Sequence, residues 1–139
     1  MRGRAQNGFT LIELMVVASL AVIVLTASVG EYRDFVSNQR LEAWADTIAT
    51  DLRTGQQFSV SRRQMVVAVF SAGQYTVSAN SALVKRGVLP PDLTSTSQTI
   101  TFSTLGTTAT AGTITLRSLV TNRTRQISVA SDTGRVRVD

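Results

Sequence analysis

The feature that most restricts this chain lies near its amino terminus. From Phe9 to Val29 every residue is apolar, small or hydroxyl-bearing, except Glu13. A run of that length matches the roughly 20 residues a helix needs to cross a bilayer. The segment ahead of it, Met1 to Gly8, carries Arg2 and Arg4 and no acid. A basic flank of this kind stays cytoplasmic, which sends the rest of the chain to the other side.

Three readings fit the run by composition. One is a secretory signal peptide removed behind it, with Thr26-Ala27-Ser28 as a weak cleavage site. The second is a plain membrane anchor, and the third a precursor cut ahead of the run. Glu13 separates them. A carboxylate inside an apolar span costs about 2.5–3.5 kcal/mol unless it is paired. Neither a signal peptide nor a simple anchor gains from that cost. A precursor cut ahead of the run does.

The residues around Glu13 also carry a resemblance. Gly8-Phe9-Thr10-Leu11-Ile12-Glu13-Leu14-Met15-Val16-Val17 resembles the start of type IV pilins and type II secretion pseudopilins. The resemblance implies that prepilin peptidase cuts between Gly8 and Phe9 and methylates the new amino terminus. It implies that Glu13 pairs with the terminal amine of a neighbouring pilin or pseudopilin subunit. Before assembly, it implies a single-pass protein of the bacterial inner membrane whose carboxyl-terminal domain lies outside the cytoplasm.

Gly30 and Glu31 close the apolar run, and the pattern becomes amphipathic. Leu41, Trp44, Ala45, Ile48, Ala49 and Leu52 recur at helical spacing. Trp44 on that stripe reads as a core residue. Arg33, Asp34, Arg40, Glu42, Asp46, Asp51 and Arg53 fall mainly on other faces. The helix is expected to run to about residue 55, where Gly55 precedes a change of period.

Residues 65–70 and 74–78 alternate around Ser71-Ala72-Gly73 and read as a hairpin. Residues 82–84, 99–102, 113–116, 126–129 and 136–138 read as further strands. Pro90 and Pro91 interrupt them. Thr104 to Gly112, rich in Thr, Ala and Gly, reads as a loop without regular structure. The fold class is therefore α+β: a long amino-terminal helix, apolar and transmembrane in its first half and packed on the domain in its second, followed by antiparallel β-structure. The expected organisation is a leader at 1–8, a membrane and filament-core helix at 9–30, and a globular domain at 31–139.

Composition removes whole classes of function. The chain has no Cys and no His. Ser-His-Asp triads, Cys nucleophiles and the common zinc sites are therefore excluded. The scattered carboxylates and Lys85 show no spacing that suggests a paired acid and base, so the reading is not an enzyme, with no metal and no cofactor. The formal net charge is +5, from 14 Lys and Arg against 9 Asp and Glu. Lys85 is the only lysine. Arginine keeps its charge at any ordinary pH, and its planar fork suits phosphate.

The arginines gather late. Arg117, Arg123, Arg125, Arg135 and Arg137 crowd the last quarter, against Asp132 and Asp139. On a strand, Arg135 and Arg137 share a face, and Thr133-Gly134 reads as the turn that presents them. If the preceding hairpin is in register, Arg123 and Arg125 join that face. Such a cluster makes phosphate contacts that ignore base sequence.

The layout as a whole resembles the FimT/GspH group of minor pilins and pseudopilins. Within that group, Gly134-Arg135-Val136-Arg137 matches a Gly-Arg-x-Arg pattern that in FimT-type minor pilins implies binding of double-stranded DNA for natural transformation. Minor pseudopilins of type II secretion systems have similar endings and no DNA binding, so the pattern leaves both readings open. The leader makes a direct prediction: Gly8→Val keeps residues 1–8 attached, and the intact mass of the purified protein reports it. Normal removal of the leader from that variant defeats the prepilin reading.

Overall fold

The computed structural model describes residues 10–139, without the side chains of Ala27 and Ser28. Gly8 and Phe9 lie outside the described residues. One α-helix, α1 (Leu11–Arg62), is followed by β1 (Val66–Ser71), β2 (Gln74–Ala79), β3 (Ala82–Val88), β4 (Leu93–Ser95), β5 (Gln98–Phe102), β6 (Thr108–Thr110), β7 (Gly112–Ser118), β8 (Thr124–Val129) and β9 (Val136–Val138). The described residues divide into two compact units, one up to Phe35 and one Val36–Asp139.

In the first unit the described large apolar side chains of α1 are exposed, Leu11, Ile12, Leu14, Met15, Leu20, Ile23 and Leu25 among them. The helix is long and apolar enough to cross a membrane. Two of its hydroxyls bond back to the helix: Ser19 donates to the Met15 carbonyl at 2.8 Å and Thr26 to the Val22 carbonyl at 3.0 Å. Back-bonding of this kind suits a helix in hydrocarbon, where an unpaired hydroxyl has no water to meet.

In the second unit the helix buries one stripe. Leu41, Ala45, Ile48, Ala49 and Leu52 are at most 2% exposed, as the helical spacing requires. They form a single core with the inward residues of two antiparallel sheets, and Trp44 packs at its margin. One sheet has the order β3-β2-β1-β5-β6, the other β4-β7-β8-β9. Val66, Ala68, Phe70, Val77, Ile100 and Phe102 come from the first; Leu93, Ile114, Leu116, Ile127 and Val129 come from the second.

The structure differs from the sequence reading in four places. First, α1 passes through Gly55 and ends at Arg62. Glycine in a helix interior costs about 1 kcal/mol relative to alanine. Here it lets the sheet close in: a Cβ at Gly55 would lie 3.1 Å from Val77 Cγ1 and 3.4 Å from Val66 Cγ1. The true stop is Arg63, at a φ of 50°, with the Gln64 amide bonded back to the Ser59 carbonyl at 3.2 Å. That is a left-handed cap of the Schellman type, usually filled by glycine.

Second, the stretch 104–112 is not free loop. It holds β6, and the buried Thr108 donates its hydroxyl to the Ala130 carbonyl at 3.0 Å. Third, β4 forms just behind the two prolines and pairs with β7, in a run too short to show a period.

Fourth, Asp51, grouped with the charges that fall mainly off the apolar stripe, is buried. It accepts from Lys85 Nζ on β3 at 2.8 Å and from the Tyr75 hydroxyl on β2 at 2.5 Å. The Tyr75 ring stacks on Phe70 with centroids 5.3 Å apart. It lies over Gly87, its cross-strand partner, where any Cβ would strike the ring. One carboxylate thus pins the β2–β3 hairpin to the helix.

Burial of the Tyr75 hydroxyl, then its hydrogen bond to Asp51 and that residue's charge, raise its pKa well above the ordinary 10.0. An unfolded chain therefore ionises this tyrosine first, and the linked stability is present below about pH 10 and lost as pH rises beyond it. Tyr75→Phe is expected to cost about 1.5–3 kcal/mol at neutral pH, the range for a hydrogen bond to a charged group. It should also flatten the alkaline fall in stability, as read from denaturant midpoints across pH. An unchanged alkaline slope would contradict this role.

Candidate nucleic-acid interface

Two regions carry the residues singled out by the sequence. At the amino end, Thr10 caps α1. The Glu13 amide donates to Thr10 Oγ1 at 3.3 Å and the Leu14 amide to the Thr10 carbonyl at 3.2 Å. Thr10-Leu11-Ile12-Glu13 thus has the spacing of a capping box, with an acid in the first turn where the helix dipole favours it. This local contribution of Thr10 and Glu13 was readable from the spacing and is additional to any role in assembly.

At the carboxyl end the arginines do not form one surface. In the β7–β8 register Arg125 lies opposite Leu116, a core residue, so it faces α1. There its Nη2 meets Glu42 Oε1 at 2.7 Å. Arg123 and Arg125 line a depression with Asn38, Leu41 and Glu42. Arg137 lies opposite Ser128, on the other face of β8. The expected union of Arg123 and Arg125 with Arg135 and Arg137 is therefore not formed, because Arg125 has the parity of the core residues Ile127 and Val129. Arg117 shares the outer parity but sits at the far end of the hairpin, donating to Asn122 Oδ1 at 2.9 Å.

Arg135 and Arg137 are exposed on either side of the buried Val136. They line a second depression, of about 570 Å³, with Asp46, Arg53, Gln56, Gln57, Val136 and Val138. Among the described residues neither arginine has an ion pair within 4.0 Å. Ion pairs are formed instead by Arg40 with Asp92, Lys85 with Asp51, and Arg125 with Glu42. One arginine on a polar helix face carries no signal of a site in the sequence. Only the fold brings Arg53 to β9.

Gly134 sets this arrangement. Its φ is 64°, and its amide bonds to the Ala130 carbonyl at 3.0 Å. A Cβ there would run into the Gly106 carbonyl and the Gln56 amide. Gln56 Nε2 donates to the Gly106 carbonyl at 2.8 Å and to the Thr133 carbonyl at 3.0 Å. The glycine of the Gly-Arg-x-Arg pattern is thus a packing and turn residue, and the arginines are the exposed part.

Comparison with known proteins follows the same division. A family profile described as the prokaryotic N-terminal methylation motif matches residues 3–29. One described as type II transport protein GspH matches residues 45–133. The chain belongs to the GspH family. Two crystal forms of the type IV minor pilin FimU from Pseudomonas aeruginosa strain PAO1 are similar to this chain in fold. The first is 18% identical, covers 76% of this chain and 92% of that one, and superposes with a TM-score of 0.60. The second is 17% identical, with 71% and 92% covered and a TM-score of 0.57. No curated protein matches the chain. The methylation motif and the pilin fold together place this GspH-family protein in the type IV pilin and pseudopilin superfamily. The GspH match stops at Thr133, so Gly134, Arg135 and Arg137 are read from this chain's own geometry.

Gly134→Ala should be destabilising by at least about 1–2 kcal/mol, the cost of a left-handed Cβ. A fall in thermal midpoint reports it, and a midpoint equal to wild type would refute the packing role.

Proposed function

We propose that this chain is a minor subunit of a type IV pilus that binds extracellular double-stranded DNA, without base specificity, during natural transformation. In this reading prepilin peptidase cuts between Gly8 and Phe9 and methylates Phe9. The methylation-motif match over residues 3–29 supports that step. The mature helix waits in the inner membrane with its basic leader side cytoplasmic. It then enters the filament as Glu13 pairs with the terminal amine of a neighbouring subunit. A carboxylate among exposed apolar side chains is stable once an opposite charge meets it.

The observation that carries the DNA reading is the pair Arg135 and Arg137: exposed, flanking one buried valine, and without ion pairs among the described residues. Free guanidiniums on an edge strand gain most from phosphate, since no internal acid must first be displaced. The second reading is a minor pseudopilin of a type II secretion system without DNA binding, and the match to type II transport protein GspH favours it.

A titration separates the two. The full chain in a non-ionic detergent is mixed with labelled duplexes of unrelated sequence over a salt series. Expected are equal affinities for the duplexes and a steep fall with salt. In Arg135→Gln/Arg137→Gln, a slope shallower by about 1.8 is expected, because two phosphates are no longer neutralised. Absence of binding by wild type at low salt would favour the pseudopilin reading.

A further inference from the structure

We propose that Arg53 of α1 completes, with Arg135 and Arg137, a concave site for a backbone phosphate of DNA between the helix and β9. The proposal rests on the DNA-binding reading above and adds a residue and a shape to it.

Arg53 is held in place. Its Nη2 donates to the carbonyl of Val136 at 3.3 Å, the residue between the two strand arginines. That bond satisfies an acceptor on the free edge of β9 and brings Arg53 to the strand segment that carries Arg135 and Arg137. Four of its five N–H donors remain, and among the described residues no acid pairs with it. A guanidinium already fixed by one bond loses less freedom when it grips a phosphate. The depression these residues line, about 570 Å³, has room for a phosphate and its flanking sugars.

Asp46 lines the same wall. Three guanidiniums outweigh one carboxylate, so the site favours anions, yet Asp46 opposes them. Removing its charge should therefore tighten binding. A diffuse basic surface makes a different prediction. There Arg117, exposed on the outer face of the second sheet, would count as much as Arg53.

The test uses the full chain in non-ionic detergent, a labelled duplex of about 30 base pairs, and a salt series. Arg53→Gln is expected to weaken low-salt binding about five- to twentyfold and to lower the salt slope by about 0.9, the share of one neutralised phosphate. Asp46→Asn should tighten binding about two- to fivefold, and Arg117→Gln should change it by less than about twofold. Thermal midpoints of each variant check the fold. Should Arg53→Gln unfold, Asp46→Asn decides, and failure to tighten overturns the site. Wild-type affinity and slope in folded Arg53→Gln, or equal weakening in Arg53→Gln and Arg117→Gln, overturn the site but leave the DNA reading standing. No binding by wild type removes both.

Discussion

Both sheets depend on one stripe of α1. Leu41, Ala45, Ile48, Ala49 and Leu52 are closed from solvent, and the inward residues of each sheet join them in one core. Without Cys there is no cross-link to share the task. Each buried aliphatic side chain of leucine or isoleucine size contributes about 1.5–3 kcal/mol. The same helix, fifteen to thirty residues earlier, presents exposed apolar side chains. Its sequence therefore has two patterns, one apolar all round and one striped.

Much of this was legible because it rests on period. The stripe from Leu41 to Leu52 and the alternation in Val66–Phe70 and Ile127–Val129 follow directly from helical and strand geometry. The end of α1 was not legible. Gly55 looks like punctuation until Val66 and Val77 are seen against it, a contact that requires the sheet to be in place. Asp51 was hidden for the same reason. Its partners Lys85 and Tyr75 sit on two later strands, and nothing local marks a carboxylate that will be buried.

The arginine region divides along the same line. Arg135 and Arg137 are neighbours on any extended strand, so their pairing was legible. The relation of Arg125 to them hangs on register, where a shift of one residue exchanges the faces of a strand. Register placed Arg125 opposite Leu116 and gave it to Glu42. Arg53 lies eighty-two residues before Arg135 in the chain, beyond any pattern that a sequence window detects.

The two hydrogen bonds donated by Gln56 have a mechanical meaning. Its amide holds Gly106, in the turn after β5 of the first sheet, and Thr133, in the turn before β9 of the second. Arg53, one turn earlier on the same helix, holds Val136. A load applied at Arg135 and Arg137 is therefore shared between these side-chain ties and the β8–β9 ladder, in parallel rather than one after another. Through these ties α1 is joined directly to β9 and to the turns before β9 and after β5, besides the β8–β9 ladder.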